Sequence, residues 1–311
     1  MSLAFVFPGQ GSQSIGMLSD LANKFPLVQS TFAEASDALA YDLWALVSDG
    51  PVESLNETHR TQPAMLAAGI AVWRSWQSVS DIQPGYFAGH SLGEYTALVA
   101  AGALDFGDAI KLVEQRGQFM QQAVPVGEGA MAAILGLDDD DVRAVCTEAS
   151  EKGVAEAVNF NSPGQVVIAG ATQAINTAIE LAKEKGAKRA LLLPVSVPSH
   201  CALMKPAADK LAEVLTDISI KPPSIPVIHN VSVTSANVEA DIKTLLTQQL
   251  YNPVRWVETV QYLAAQGVDT LVECGPGKVL AGLTKRIDKS IVAMPMFDQA
   301  SLEKVQQAVG E

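Results

Sequence analysis

Ser91 lies in Gly89-His90-Ser91-Leu92-Gly93, a G-x-S-x-G pentapeptide. The apolar stretch Tyr86-Phe87-Ala88 precedes it and a segment expected to be helical follows. A nucleophilic serine belongs in such a place. Glycines on both sides permit a tight strand-to-helix turn, which pushes Oγ out of the sheet and lets backbone N–H groups converge on an oxyanion. The spacing alone is weak, because at ordinary glycine usage it recurs by chance in roughly one chain in ten of this length. A second source of free N–H groups is the glycine-rich loop Pro8-Gly9-Gln10-Gly11-Ser12-Gln13, entered from the apolar strand Phe5-Val6-Phe7. A phosphate loop or a plain turn would also account for it, but neither G-x-G-x-x-G nor a Walker Lys-Ser/Thr occurs here. Gly275-Pro276-Gly277-Lys278 fails the same test, since Val279 stands where a magnesium-binding hydroxyl is required.

A serine hydroxyl needs a base within hydrogen-bond reach. Of four histidines, His90 adjoins the serine, and neighbours on a sharp turn rarely aim at one another, so it reads as packing of the turn. His59, in the polar stretch Asn56 to Arg60, and His229, in a strand-like run, read as structural or surface residues. His200 ends the run Leu191 to Val197, just ahead of a helix beginning near Ala202, in the kind of strand-end loop where α/β sheets collect catalytic groups. A satisfied buried histidine is the alternative. No acidic residue between serine and histidine stands out as a third member. Arg116 falls on the apolar stripe Ala109, Val113, Met120, Ala123 of a helix expected over Asp108 to Ala123. Its guanidinium therefore points at a buried face, where it needs an anion, unless the head snorkels to water.

Four separated blocks, Phe7 to Gln13, Gly89 to Glu94, Val197-Pro198-Ser199-His200 and Gln248 to Pro253, followed by Glu273-Cys274-Gly275-Pro276-Gly277, together resemble the malonyl-CoA:acyl carrier protein transacylases, in their stand-alone bacterial type II form. The resemblance spans nearly the whole chain. It implies an acyltransferase that moves malonyl from malonyl-CoA to the phosphopantetheine thiol of holo-acyl carrier protein, by ping-pong kinetics through a malonyl-serine, for fatty acid synthesis. It implies Ser91 and His200 as catalytic residues and the backbone carbonyl of Gln249 as the group that orients the imidazole. It further implies that the N–H groups of Gln10 and Leu92 form the oxyanion hole and that Arg116 binds the malonyl carboxylate. No cofactor and no metal are expected, since CoA thioester and carrier protein are substrates, and a monomer is the family's habit. An esterase or thioesterase would use the same serine and histidine; a non-catalytic carrier-protein binder would tolerate loss of Ser91.

Along the chain, strand-like and helix-like segments alternate, which predicts an α/β fold: a hydrolase-like core whose parallel sheet is covered on both faces. The middle differs. From Gly129 the order is strand, helix, strand, strand, helix, strand, a ferredoxin-like β-α-β-β-α-β pattern. The expected organisation is a large α/β unit of residues 1–125 and 197–311 with a small unit, 126–196, inserted, and the site in the cleft between them. Asn159 and Asn161 could face that cleft, and turn chemistry would explain them too.

The composition, 48% hydrophobic and 18% charged over 311 residues, is that of a globular chain. No segment approaches a membrane span, no signal h-region is visible, and the cytoplasm is expected. Three cysteines without metal spacing read as reduced thiols. The net charge of −13 argues against nucleic acid. It also opposes an acidic carrier protein, so docking should need a local basic patch. Lys183, Lys185, Lys188 and Arg189 make the densest one, and Lys285 with Arg286 a second.

Overall fold

The computed structural model describes residues 2–195 and 197–310. Ser196, inside the run expected to lead to His200, lies outside the described residues, as do Met1 and Glu311 at the ends of the expected large unit. The strands are β1 (Leu3–Phe7), β2 (Tyr86–Gly89), β3 (Gly129–Leu135), β4 (Ala155–Ser162), β5 (Gln165–Ala171), β6 (Arg189–Leu192), β7 (Val227–Ile228), β8 (Thr270–Cys274) and β9 (Val292–Met296). They form two sheets. Five of them, in the order β7-β2-β1-β8-β9, are parallel.

The central strand β1 is Leu-Ala-Phe-Val-Phe, every residue of it buried. An unbroken apolar run is what a parallel strand needs when helices cover both faces of the sheet. One face rests on the 20-residue helix Thr58–Gln77. Phe5 meets Trp73 and Trp76 edge-on at 5.4 and 5.6 Å, and Phe87 meets Trp73 at 5.3 Å. These aromatic contacts fix the height of β1 and β2 against the helix, and both strands end at the site: Phe7 pairs with Gly89.

At the end of β8, Glu273 is fully buried. Its Oε2 accepts the N–H of Ala281 at 2.8 Å, at the start of the helix Val279–Ile287. Burial pushes its carboxyl up to about 7, against the pull of the helix N–H groups of Ala281, Leu280 and Val279. Gly275, at φ +143, brings the chain so close to Pro8 that a Cβ would stand 3.0 Å from the proline ring. The Gly275 to Lys278 segment thus buttresses the Pro8 loop.

The second sheet, in the order β4-β5-β3-β6, is antiparallel. With the helices Asp139–Ala149 and Thr172–Glu184 it has the ferredoxin-like order and a core of its own, including Ile134, Val145, Ile168 and Ile175. This α/β arrangement of a parallel and an antiparallel sheet agrees with the sequence reading. The last strand of this unit pairs as far as Leu192, the end expected for it. His200 lies beyond the end of β6, in keeping with the strand-end position expected for it, and a 3-10 turn, Ala202–Met204, precedes the helix Lys205–Thr216.

Candidate active site

Ser91 sits at the turn between β2 and the helix Gly93–Ala100 with φ +53. A non-glycine residue in the left-handed region costs about 1–2 kcal/mol, so something must hold it. Asn230 does so from both ends: its Oδ1 accepts the N–H of Ser91 at 2.7 Å, and its Nδ2 donates to the carbonyl of Gly89 at 2.6 Å. The motif's glycines are contact requirements. A Cβ on Gly89 would lie 1.9 Å from the carbonyl carbon of Gly93, and one on Gly93 would lie 2.0 Å from the carbonyl oxygen of Phe7.

His200 Nε2 is 2.7 Å from Ser91 Oγ, and its Nδ1 is 2.7 Å from the carbonyl oxygen of Gln249. A carbonyl can only accept, so Nδ1 carries the proton and Nε2 offers its lone pair to the serine hydroxyl. The His200 N–H donates to the carbonyl of Leu250 at 2.9 Å, which ties the loop to the end of the helix Glu239–Gln249. Burial, and then the Arg116 charge, lower the imidazole from its ordinary value to about 3. Protonation would silence the base, and with a lowered pKa this happens only near pH 3. The kcat/KM for serine acylation should therefore stay nearly flat between pH 8 and pH 5, whereas a base titrating at 6.5 would lose roughly thirtyfold. Stopped mixing at a series of pH values, read by intact mass, measures it; a fall centred near 6.5 would contradict this environment for His200.

Arg116 does not snorkel: it is 0% exposed. Nη1 donates to Gln62 Oε1 at 2.7 Å and Nη2 to Gln249 Oε1 at 2.9 Å, while Nη2 lies 3.4 Å from Ser91 Oγ. Its guanidinium carbon is 5.3 Å from the centroid of Tyr95. Nε has no partner among the described residues. No carboxylate among them touches this buried cation, whose burial lowers its pKa. A guanidinium so placed calls for an anion beside the serine.

The remaining expectations can be placed one by one. Leu92 follows the serine, and the Pro8 loop lies against the turn, where a Cβ on Gly9 would come within 2.6 Å of the His90 carbonyl oxygen. Among the described residues the N–H groups of Gln10 and Leu92 have no acceptor, while that of Ser91 is taken by Asn230. His90 turns away from Ser91, with Nε2 2.8 Å from Asn161 Oδ1 on β4 and its ring 5.6 Å from Trp256. Asn161 thus links the small sheet to the serine turn through His90. His59 is half-buried beside Glu57 at 3.5 Å, and His229 is wholly buried. Cys201 donates to the Pro198 carbonyl, and burial pushes its thiol up to about 12, far from a nucleophile. Sequence reasoning missed Gln62, Glu94, Asn230 and the side chain of Gln249. The usable signal was a polar residue next to an apolar run: Gln62 ahead of Ala64-Met65-Leu66, Glu94 in an otherwise uncharged helix, Asn230 after Val227-Ile228.

Comparison with known proteins bears on this geometry. The acyl transferase domain family matches residues 4–309. The malonyl CoA-acyl carrier protein transacylase of Escherichia coli K12 is 58% identical over 299 residues, covering 96% of this chain and 97% of that protein. The chain is a member of the malonyl CoA-acyl carrier protein transacylase family. The crystal structure of an acyl carrier protein S-malonyltransferase from Vibrio cholerae superposes with a TM-score of 0.96 at 60% identity, covering 98% of this chain and all of that one. A second structure, a type II PKS acyl-carrier protein in complex with its malonyl-transacylase, gives 0.98 at 56% identity over 99% of this chain and all of that one. As a member of this family the chain is an acyltransferase.

Proposed function

We propose that this acyltransferase moves a malonyl group from malonyl-CoA to the phosphopantetheine thiol of holo-acyl carrier protein, and so supplies fatty acid synthesis. The observation that carries the reading is the buried Arg116, 3.4 Å from Ser91 Oγ and without a contacting carboxylate among the described residues. In a malonyl ester the free carboxylate stands one methylene from the reacting carbonyl, so an arginine beside the serine oxygen can hold it bidentately.

Ser91 Oγ attacks the thioester carbonyl carbon while His200 Nε2 takes its proton. The tetrahedral oxyanion is met by the N–H groups of Gln10 and Leu92, each typically worth about 2.7–4 kcal/mol in such a hole. The C–S bond breaks and the CoA sulfur leaves with the proton from His200. The Gln249 carbonyl holds the imidazole in the right tautomer. The carrier thiol then gives its proton to His200, its sulfur attacks the malonyl-serine carbonyl, and Oγ leaves reprotonated. No cofactor or metal enters these steps. A neutral carbonyl behind His200 stabilises the imidazolium less than an aspartate would, which suits thioesters, more reactive than amides. Brief mixing with malonyl-CoA and no acceptor should give a malonyl-sized mass gain, discharged by holo-carrier protein. Rapid CoA release with no adduct would mark a hydrolase instead.

We take residues 1–125 and 197–311 as the large unit and 126–196 as the inserted one, with the site in the cleft between them. The cytoplasm and a monomeric state go with this reading, without nucleic acid or membrane as partners; among the described residues no helix is long and apolar enough to cross a membrane. For carrier docking, Lys183, Lys185, Lys188 and Arg189 are all exposed, running from the end of the helix Thr172–Glu184 through the following turn to the first residue of β6. Beyond them the exposed Leu191, Leu192 and Val195 lead toward His200. A basic, partly apolar strip on a chain of net charge −13 suits an acidic partner. Lys188→Glu/Arg189→Glu should slow the carrier half-reaction about tenfold or more at low salt, less at high salt, and leave the CoA half-reaction alone. Unchanged carrier kinetics at low salt would remove this patch from docking.

A further inference from the structure

We propose that Glu94 is the positioning residue of the transfer reaction, a buried carboxylate that holds the serine turn, the base and the arginine in one register through Asn230 and Gln249. The inference rests on the roles proposed above for Ser91, His200 and Arg116. Glu94 is 1% exposed, in the first turn of the helix Gly93–Ala100. Its Oε1 lies 2.7 Å from His229 Nδ1, and its Oε2 accepts the Asn230 N–H and Gln249 Nε2, each at 2.9 Å.

What those partners do next makes the placement functional. Asn230 clamps the serine turn through the N–H of Ser91 and the carbonyl of Gly89. Gln249 donates from the same Nε2 to the Ser91 carbonyl at 3.0 Å, accepts Arg116 Nη2 on Oε1, and accepts His200 Nδ1 on its backbone carbonyl. Once Glu94 has fixed the amide's Nε2, Oε1 can only face the arginine. Three segments far apart in the chain, around residues 91, 230 and 249, thus meet on one carboxylate. Burying a carboxylate is costly unless its oxygens are bonded, and here three donors converge on it. Only an acceptor-only group serves three converging donors without adding a donor of its own. The acid missing between serine and histidine is therefore present in the chain, one residue removed from the imidazole, acting through Gln249.

The test compares Glu94→Ala, Glu94→Gln and wild type by single-turnover acylation from malonyl-CoA and acetyl-CoA, with Tm measured alongside. Glu94→Ala should acylate about a hundredfold more slowly, the loss expected for reacting groups displaced by about an ångström, and its malonyl-to-acetyl preference should fall about tenfold. Glu94→Gln should recover most of both, since its amide oxygen still serves Asn230 and Gln249 and the His229 nitrogen can turn acceptor toward its N–H. A residue that only stabilises the fold would lower Tm and the yield of folded enzyme while leaving the rate per folded site and the preference at wild-type values; that result overturns the proposal. If Glu94→Ala does not fold, Glu94→Asp decides: withdrawn by one methylene, it should still slow acylation and reduce the preference, and wild-type values for both would overturn it. A wild type that forms no serine adduct or shows no malonyl preference would instead break the underlying reading.

Discussion

Ser91→Ala is expected to abolish the malonyl adduct and to lower transfer by about four orders of magnitude or more, while the fold persists. The size follows from covalency. Without Oγ there is no acyl-enzyme, and the chain retains only binding and oxyanion contacts, which in serine hydrolases leave a small residue of the full rate. The fold should survive because the removed atom makes only a bond to His200 Nε2 and a longer one from Arg116 Nη2, of a kind worth about 1 kcal/mol net each. Asn230 and Gln249 meanwhile hold the backbone N–H and carbonyl of residue 91, which alanine keeps. Intact-mass measurement of wild type and variant after brief mixing with malonyl-CoA, beside thermal melts of both, separates lost chemistry from lost structure. A full-sized adduct on the alanine variant would mean that another residue carries the acyl group.

The same residues show how much of this site was legible in the chain. Ser91 and the motif's glycines could be read directly because their role is local: a sharp turn needs glycines within two residues of the nucleophile, and sequence neighbours reveal it. His200 came by elimination among four candidates, and Arg116 by the conflict between its charge and an apolar stripe. The β-α-β-β-α-β order was legible because each of its elements has its own periodicity, with helix and strand limits off by three residues at most. The donors near Gln10 and Leu92 followed from the glycine-rich loop and the serine turn, whereas the Gln249 carbonyl came only by resemblance, since a backbone acceptor leaves no mark in residue type. Asn230, Glu94 and Gln62 escaped because each is defined by partners dozens to more than a hundred residues away. An amide beside an apolar run has many innocent explanations until the fold brings its partners near. The absence of a visible acid was read from the usual order of a triad; the acid lay three residues past the serine, bound to Gln249 rather than to His200.

Arg116→Ala should lower kcat/KM for malonyl transfer by about two to four orders of magnitude, the range set by leaving one member of a buried ion pair without its partner. Acetyl transfer should fall far less, so that the malonyl-to-acetyl ratio drops at least about tenfold. The ratio is the decisive quantity because the substitution has two other effects. It leaves Oε1 of Gln62 and Oε1 of Gln249 without their donor, which loosens the site for every acyl group. It also removes the second cause of the depressed His200 pKa, which makes the base stronger for every acyl group. Both act on malonyl and acetyl alike and cancel in the ratio, whereas the contact to a free carboxylate exists for malonyl alone. Arg116→Lys, which keeps the charge but not the planar fork, should fall between wild type and alanine in the same ratio. Equal losses for the two acyl groups would leave Arg116 as a structural prop for Gln249 and return the question of what recognises the malonyl carboxylate to the rest of the cleft.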